Sequence, residues 1–336
     1  MPSLWSGRQL RCRVCHFCFC LGLVLLLIEL TSQEIKKYVI MCLKPDWNTG
    51  PDRCTSEVTK TLTDEEFQIV KMWVNDILTE DTSQQRWMAS NDERHHFAAS
   101  LVLLNSMYQL LNYVINERLQ KIVELANILE PGQGVGRQGR CVGINMKKVH
   151  FIQQAARIQG KWVCRINIDF ENAFNAISQA ALWWVVRIFK IPDVDLLEQI
   201  YEGATVRLTP NNEESATVTF NTLNICVAQG SVTSLQLFNI IINTLLRMLT
   251  VIGRNEDISH GLQIGKDQKG DKQRDENGYW FNNIEFIDNI SIFADTPEGM
   301  QKLSNVVEEF TAWCGMQISV KKAYGLVIDN DKKRTE

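Results

Sequence analysis

The stretch Phe286-Ile287-Asp288-Asn289 lies between two runs of β-branched and aromatic residues, Gly278 to Glu285 before it and Ile290 to Ala294 after it. This composition is typical of strands, and a short polar stretch between two strands is typical of a hairpin turn. We therefore predict two antiparallel strands with Asp288 and Asn289 at the turn. An ordinary hairpin with a polar tip has the same pattern, so this stretch alone does not establish a chemical role.

A second carboxylate, Asp169, ends another apolar run, which begins at Trp162 and has the composition of a strand. If the two strands are neighbours in one sheet, they bring Asp169 and Asp288 together. Carboxylate oxygens are ligands that Mg²⁺ prefers, and carboxylates hold the metal ions of many phosphoryl-transfer enzymes. The two stretches together therefore predict a magnesium site for phosphoryl transfer.

The chain has 336 residues, of which 45% are apolar, enough for one large domain or two small domains with a buried core. Its net charge of −4 argues weakly against a nucleic-acid partner. Between Arg137 and Lys190, however, nine lysine and arginine residues stand against only two acidic residues, Asp169 and Glu171. Such a local excess of positive charge is typical of a surface that binds polyphosphate or a nucleic-acid backbone, although solvated helix faces give the same count.

The N-terminal residues 8–30 have the pattern of a secretory signal or a short membrane anchor. Three arginines between residues 8 and 13 precede an apolar run from Val14 to Ile28, which is shorter than the ~20 residues of a membrane span. A membrane partner is therefore expected only if residues 14–28 are a real anchor. The ten cysteines form no disulfide framework, which favours an intracellular location for the domain that follows. The localisation is left open between these two expectations.

Hydrophobic periodicity and capping residues predict the remaining elements. Residues 31–60 are expected to be irregular. A helix is expected to begin at Thr63, where Thr63-x-x-Glu66 has the pattern of a capping box, and a long apolar helix is expected over about residues 98–129. The glycines of residues 132–143 follow no predicted strand and precede no Lys-Ser or Lys-Thr pair, so they do not match a P-loop. Further helices are predicted at 143–159, 177–190, 193–203, 229–249 and from Pro297, and further strands at 204–208, 216–220, 316–320 and 323–328.

Four motifs, in the family's order and at family-like spacing, make residues from about 100 to 328 resemble the reverse transcriptase domain of non-LTR retrotransposons. The motifs are Asp169-Phe170-Glu171-Asn172-Ala173-Phe174, similar to the first palm motif; Ala228-Gln229-Gly230-Ser231, similar to the Gln-Gly motif before a helix; Phe286-Ile287-Asp288-Asn289, at the place of the aromatic-x-Asp-Asp hairpin; and Gly315-Met316-Gln317-Ile318 with Lys321-Lys322, similar to the motif that follows.

The resemblance implies an α+β fold: a reverse-transcriptase-like palm, with an antiparallel sheet and helices on one face, plus a partial helical fingers region. The implied divisions are an N-terminal apolar and irregular segment outside the core, a helical fingers-like region, the palm and a charged tail, at residues 1–60, 61–136, 137–328 and 329–336.

The resemblance also implies an RNA-directed DNA polymerase that uses two Mg²⁺ ions, an RNA template, a DNA primer and dNTPs. Asp169 and Asp288 would be the metal ligands, and Asn289 would stand at the third catalytic position. Phe174 would lie under the deoxyribose, Gln229 and Gly230 would line the template and nucleotide side, and Lys322 would neutralise the leaving phosphate. Each of the last four residues also has an ordinary structural role open to it: a core aromatic, a helix-capping turn and a solvated lysine.

The sequence departs from the family's pattern at several positions. Asn289 stands where the family has the second aspartate of the hairpin, Asn175 replaces the aspartate after the first motif's aromatic, and Leu235 replaces a proline. The chain also ends soon after Lys322, so no thumb is expected within it. These departures predict an impaired polymerase, and whether it is an enzyme at all stays open. The alternatives are a non-enzymatic retrotransposon relic that at most binds nucleic acid, and a membrane-anchored protein.

Overall fold

The structure is a computed structural model, and its described residues form two compact units. One unit takes residues 1–128 and 177–238, and the other takes residues 129–176 and 239–336. The described residues are 31–42, 63–79, 88–91, 102–104, 106–137, 139–201, 205–208, 218–221, 231–253, 261–264 and 279–328. Of the predicted features, the apolar run 14–28, the tail 329–336, and Gln229 and Gly230 lie outside them. The predicted division into a fingers-like region and a palm stays a prediction.

Helices and strands are interspersed along the chain. The helices are α1 (Ser32–Cys42), α2 (Asp64–Thr79), α3 (Ser106–Leu125), α4 (Val142–Ile158), α5 (Ala173–Ala176), α6 (Gln179–Ile188), α7 (Val194–Tyr201), α8 (Val232–Gly253) and α9 (Pro297–Cys314). The strands are β1 (Met88–Asn91), β2 (Val102–Leu104), β3 (Val163–Glu171), β4 (Thr205–Leu208), β5 (Val218–Asn221), β6 (Leu262–Ile264), β7 (Tyr279–Phe281), β8 (Asn283–Phe286), β9 (Asn289–Ala294), β10 (Gln317–Ile318) and β11 (Tyr324–Ile328).

Two capping boxes start helices of the first unit. The predicted capping box is present before α2, where the Thr63 amide donates to the Glu66 carboxylate at 2.7 Å. A second box, which the sequence analysis missed, precedes α1, where the Thr31 amide donates to Glu34 at 2.9 Å. The expectation of irregular structure is therefore wrong over Ser32–Cys42. Because Ile35 is fully buried and α1 contacts α2 and α3, this helix is also part of the unit's core.

Helix α3 is shorter than the predicted helix at both ends. Its expected first turn is strand β2, which pairs antiparallel with β1, and β1 in turn pairs with β4. At the other end Asn127 has a φ of 49°, and the Ile128 amide donates to the Val123 carbonyl at 3.0 Å. A residue in the left-handed region commonly ends a helix in this way, so the predicted end at residue 129 is wrong. The strands predicted near residues 204–208 and 216–220 are present as β4 and β5, which pair antiparallel.

The sheet of the second unit is antiparallel throughout and has β3 at its centre. Strand β9 pairs with one edge of β3, and β8 follows on the outer edge of β9. Strands β10 and β11 lie end to end along the other edge of β3, opposite its last and first residues respectively. The α+β class and the antiparallel palm sheet are therefore confirmed.

The predicted strand before the hairpin is divided at Asn282. Strand β7 pairs with β6, whereas β8 pairs with β9. Asn282 is buried between them: its side-chain amide donates to the Leu249 carbonyl of α8, and its backbone carbonyl accepts from the Phe293 backbone amide at 2.9 Å. The chain leaves one pairing for the other because these bonds satisfy the polar groups of Asn282.

Both faces of the palm sheet carry buried side chains. On one face, Ile152 and Ala156 of α4 pack against Val163, Ile284 and Phe293. Because successive strand residues point to opposite faces, a second set of buried residues lies on the other face: Ile168, Phe170, Ile290, Ile292 and Ala294. Helix α4 therefore packs on the face of the sheet that carries Val163, Ile284 and Phe293.

Helix α9 begins at Pro297, as predicted. The Thr296 hydroxyl accepts from the Gly299 amide at 3.1 Å, Pro297 takes the first position, and Gly315 ends the helix at a φ of 84°. The helix contacts β3, β9 and β10, and its buried side chains include Met300, Leu303, Val307 and Phe310.

Helix α8 begins at Val232 and is apolar on nearly all sides. Among the described helices it alone has the length and composition of a membrane span. Most of its side chains are buried, which is what an apolar core helix requires.

The start of the glycine-rich loop, residues 132–143, packs against strand β8 of the β8–β9 hairpin. Gln133 forms a β-bridge with Glu285, and the Gly134 amide lies 3.4 Å from the Glu285 carboxyl. The side-chain amide of Asn145 donates through Nδ2 to the Glu285 backbone carbonyl at 2.7 Å. A Cβ at Gly134 would stand only 2.2 Å from Asn145 Nδ2, so the close packing of this loop requires glycine there.

The carboxyl group of Glu285 is fully buried at this contact. Burial, with a smaller contribution from the charge of the nearby Asp288, raises the pKa of Glu285 to about 8. The amides of Gly134 and Ile287 and the charge of Arg137 act in the opposite direction. At neutral pH the folded protein therefore holds this carboxyl mainly in its protonated form.

Replacing Gly134 with alanine should destabilise the protein by about 1–3 kcal/mol, because the new methyl group must displace a hydrogen-bonded Asn145. The matched control is Gly143→Ala, whose Cβ meets only Cys141 Sγ at 3.8 Å. That variant should be neutral or more stable by up to about 1 kcal/mol, since alanine favours a helix. Denaturant unfolding measures both changes. Equal effects of the two substitutions would contradict the docking of the loop.

Stability should fall as the pH rises from about 4.5 to about 8, because Glu285 loses its proton near 4.5 in the unfolded chain and near 8 in the folded protein. Glu285→Gln should remove this part of the slope and leave the variant relatively more stable at pH 8. Glu309→Gln, an exposed change on α9, should keep the wild-type slope. Unfolding free energies measured across this pH range provide the test, and an unchanged slope in Glu285→Gln would refute it.

Candidate active site

The pairing of β3 with β9 brings the predicted catalytic positions to one end of the sheet. Asp169 stands directly opposite Asn289, and the register continues to Cys164 opposite Ala294. Residues directly opposite on antiparallel strands share a face, with Cβ atoms about 4.5–5.5 Å apart. Asp288 precedes Asn289 by one residue, so both carboxylates belong to this end of the sheet.

The hairpin between β8 and β9 has a two-residue turn made of Ile287 and Asp288. Phe286 pairs with Asn289, so Asn289 is the first residue of β9 and not, as predicted, part of the turn. Ile287 has a φ of 56°, a left-handed conformation that is rare for a β-branched residue. Strain of this kind costs of order 1–3 kcal/mol and is found most often at functional sites. The strained turn places Asp288 at the hairpin tip.

Lys322 is paired with Asp169. Its Nζ lies 3.1 Å from Asp169 Oδ1, although the lysine side chain is 67% exposed and the aspartate side chain only 13%. The turn between β10 and β11 sets this contact, because the Ser319 amide donates to the Asp169 carbonyl at 2.8 Å and the Lys322 amide donates to the Ser319 carbonyl at 3.1 Å. The predicted lysine is thus held beside the first carboxylate.

The surroundings of Asp288 shift its pKa. Burial raises the pKa of Asp288 most, and the charge of Asp169 raises it further. Its own backbone amide, the charge of Lys322 and a hydrogen bond from Asn289 lower it. In that bond Asn289 Nδ2 donates to Asp288 Oδ1 at 3.1 Å. The two carboxylates are therefore close enough to repel each other, and a cation between them would relieve this repulsion.

The donor set suits a hard divalent cation only in part. Two carboxylates and the amide oxygen of Asn289 are oxygen donors of the kind that Mg²⁺ prefers. In the part of the chain that the structure describes, no group of three or more His, Cys, Asp and Glu side chains is placed to hold a metal. With Asn289 at the third position, the site offers a cation two charged ligands, Asp169 and Asp288.

Phe174 lies just beyond the strand that carries Asp169. Asn172 turns the chain with a φ of 45°, and its carbonyl accepts from the amides of Asn175 and Ala176 at 2.8 and 3.0 Å, which forms the single turn of α5. Phe174 is half-buried there, and its predicted place under the sugar stays a prediction. The predicted roles of Gln229 and Gly230 also stay predictions.

A cavity of about 370 Å³ opens beside Asp169, Asn289 and Lys322 and continues between α4 and the sheet. It contains Arg165 and Asn167, which the sequence analysis did not single out. A signal was present, because Arg165, Asn167 and Asp169 alternate along β3 and must share one face. Ser291, the cross-strand neighbour of Asn167, gave no such signal without the register.

Comparisons with known proteins agree with this geometry. Residues 99–330 match the family model described as reverse transcriptase (RNA-dependent DNA polymerase). Over 170 residues the chain is 26% identical to the retrovirus-related Pol polyprotein from type-2 retrotransposable element R2DM of Drosophila melanogaster. That alignment covers 50% of this chain and 14% of the polyprotein, so the chain spans a small part of that relative's length.

Among solved structures, the chain is similar to two of Candida tropicalis telomerase. The apo enzyme truncated from its C-terminal domain has a TM-score of 0.45 at 9% identity, covering 65% of this chain and 40% of that chain. The enzyme in complex with a TWJ fragment of telomeric RNA has a TM-score of 0.46 at 10% identity, covering 64% of this chain and 33% of that chain.

The match to the family model spans more than half of the chain and includes Asp169, the hairpin and Lys322. The resemblance to the reverse transcriptase domain of non-LTR retrotransposons, first seen in four motifs, is confirmed. Members of this family generally use divalent metal ions and bind nucleic-acid templates. The chain belongs to the reverse transcriptase family.

Proposed function

We propose that this chain is an RNA-directed DNA polymerase domain, impaired by Asn289, whose substrates are an RNA template, a DNA primer and dNTPs. The observation that supports this most strongly is the register of β3 and β9, which brings Asp169 and Asp288 to one end of the palm sheet, where Lys322 is paired with Asp169. An ordinary polar hairpin requires neither a second carboxylate beside it nor a lysine held over that carboxylate.

In this proposal Asp169 and Asp288 hold the Mg²⁺ ions. When bound, the ions would lower the pKa of the primer 3′-hydroxyl and neutralise charge on the triphosphate. Lys322 has an exposed ammonium group beside Asp169, where it can donate a hydrogen bond to the leaving phosphate. Phe174 would exclude a 2′-hydroxyl by its bulk.

Asn289 weakens this site in two ways. Its amide oxygen carries no charge, so the site lacks a carboxylate whose field would favour a dication. Its amide nitrogen also donates to Asp288 Oδ1, and this hydrogen bond competes with a metal ion for the negative charge of that oxygen. Each 1.36 kcal/mol lost in the transition state costs about tenfold in rate, so a deficit of a few kcal/mol leaves very slow turnover.

A group of three cations in the second unit supports nucleic-acid binding. Arg137 donates to the Glu130 carbonyl at 3.0 Å, and Arg140 and Lys148 donate to the Pro131 carbonyl at 3.1 and 3.2 Å. Burial lowers the pKa of Lys148, and the charges of Arg140 and Arg137 lower it further. A phosphate backbone would relieve the repulsion among these like charges, which favours binding.

The second candidate function is a non-enzymatic relic that binds nucleic acid through these cations. Asn289 is the observation that favours it, and it requires no turnover. An intracellular location goes with either function. The free thiols of Cys141, Cys164 and Cys314 suit a reducing compartment.

Restoring the hairpin carboxylate should raise activity. We expect the unmodified chain to show little or no Mg²⁺-dependent extension of a DNA primer on an RNA template, and Asn289→Asp to show a clear gain. The change replaces an exposed amide with a carboxylate of the same shape, so folding should be preserved. Primer extension with dNTPs on a denaturing gel measures the rates.

The control for this experiment is the double variant Asp169→Asn with Asn289→Asp, which should bind template and primer but extend nothing. Robust extension by the unmodified chain would contradict the proposed impairment. A folded Asn289→Asp variant that binds template and primer without any gain would show that the carboxylate is not the limiting feature.

A further inference from the structure

A row of polar side chains extends along β3 away from the catalytic end. Arg165, Asn167 and Asp169 share one face of the sheet, where Arg165 lies opposite Phe293 and Asn167 lies opposite Ser291. Arg165 is half-buried, with its guanidinium 5.7 Å from the centre of the Phe293 ring. At a strand's rise per residue, Arg165 stands about 13 Å from Asp169 along the chain.

The hydrogen bonds of Arg165 go to neutral partners. Its Nε and Nη2 donate to Asn167 Oδ1 at 3.0 and 2.6 Å, and Nη2 also donates to Ser291 Oγ at 3.1 Å. The Ser291 hydroxyl donates to the same Asn167 oxygen. Over the described residues, no carboxylate forms an ion pair with Arg165. Its positive charge is thus held in place but not compensated.

In the cluster of Arg165, Asn167 and Ser291, the groups that lack a hydrogen-bond partner among the described residues are hydrogen-bond donors. The guanidinium has five N–H groups, and those of Nη1 bond to nothing within the described ranges. Asn167 Nδ2 is buried and has no hydrogen-bond partner there either. Burial lowers the pKa of Arg165, as expected for a cation that is partly removed from water without a counter-ion. A ligand that only accepts hydrogen bonds and carries negative charge would satisfy all of these groups.

The cavity has the room for such a ligand. Its volume of about 370 Å³ falls in the range of small-molecule sites. His150 and Gln153 of α4 and Tyr324 of β11 also line it and offer further polar groups. Asp169 at the far end is already paired with Lys322, which limits its repulsion of an anion near Arg165.

We propose that the inner part of this cavity, formed by Arg165, Asn167 and Ser291, binds a phosphate group. Several separated donors suit the oxygens of a phosphate, and the uncompensated arginine suits its charge. The phosphate belongs either to a free polyphosphate or to a nucleic-acid backbone. The site is distinct from the metal-binding carboxylates and does not depend on polymerase activity.

The test is binding of inorganic pyrophosphate to the full chain, measured by calorimetry in EDTA so that no metal at Asp169 contributes. Arg165→Gln keeps a hydrogen-bonding side chain but removes the charge, and we expect at least about tenfold weaker binding. Arg157→Gln removes an exposed arginine of α4 that does not line the cavity, and it should bind as the wild type does. A single-stranded oligothymidylate serves as the second probe.

A second variant keeps the result decisive if Arg165→Gln does not fold. Asn167→Asp is isosteric and supplies Arg165 with a counter-ion, so it should fold and also lose pyrophosphate binding. Loss in these variants but not in Arg157→Gln supports the site. If only the oligonucleotide binds, and Arg165→Gln and Asn167→Asp lose this binding while Arg157→Gln keeps it, the phosphate belongs to a nucleic-acid backbone. Failure of both probes to bind wild-type protein, or equal binding by Asn167→Asp, would overturn the proposal without bearing on polymerase activity.

Discussion

The antiparallel pairing of β3 with β9 is the constraint on which the second unit depends. Its register sets Asp169 opposite Asn289 and, along the same strand, Asn167 opposite Ser291. A slip of one residue would turn every side chain of one strand to the other face. Both faces of β9 carry fully buried residues, Phe293 on one and Ile292 on the other, so such a slip would place polar groups in the core. Packing of the sheet therefore fixes the geometry of the end that carries the candidate site.

The sequence predicted those features whose causes are local. The hairpin, the capping box of α2 and the proline start of α9 each depend on residues within a few positions of one another, and all three are present. The elements that differ depend on distant partners. Strand β2 replaces the first turn of a predicted helix because β1 is available to pair with it, and Asn282 divides a predicted strand because α8 accepts its hydrogen bond. The capping box of α1 was visible in the sequence and was overlooked.

In the candidate site, too, the features with local causes were predictable from the sequence and those that depend on distant contacts were not. Asp169 and Asp288 were identifiable from two short motifs, because a carboxylate after a strand and one in a hairpin need only local structure. The burial of Glu285 and the unmatched donors of Arg165 and Asn167 arise from the docking of the glycine-rich loop and from strand register. No pattern in the sequence specifies these contacts, except that the alternation along β3 places its polar residues on one face. The palm sheet thus carries the candidate site, with Asp169 and Asn289, and a second polar centre, with Arg165 and Asn167, on the same face.

The proposed function requires that Asp169 and Asp288 form one metal site. A crystal structure of the chain grown with Mn²⁺, with anomalous diffraction to locate the ion, tests this most directly. We expect carboxylate groups within about 4–6 Å of each other, close enough to share metal ions spaced as in two-metal enzymes, and an anomalous peak between them. Carboxylates more than about 10 Å apart, too far to share such ions, would contradict the polymerase assignment.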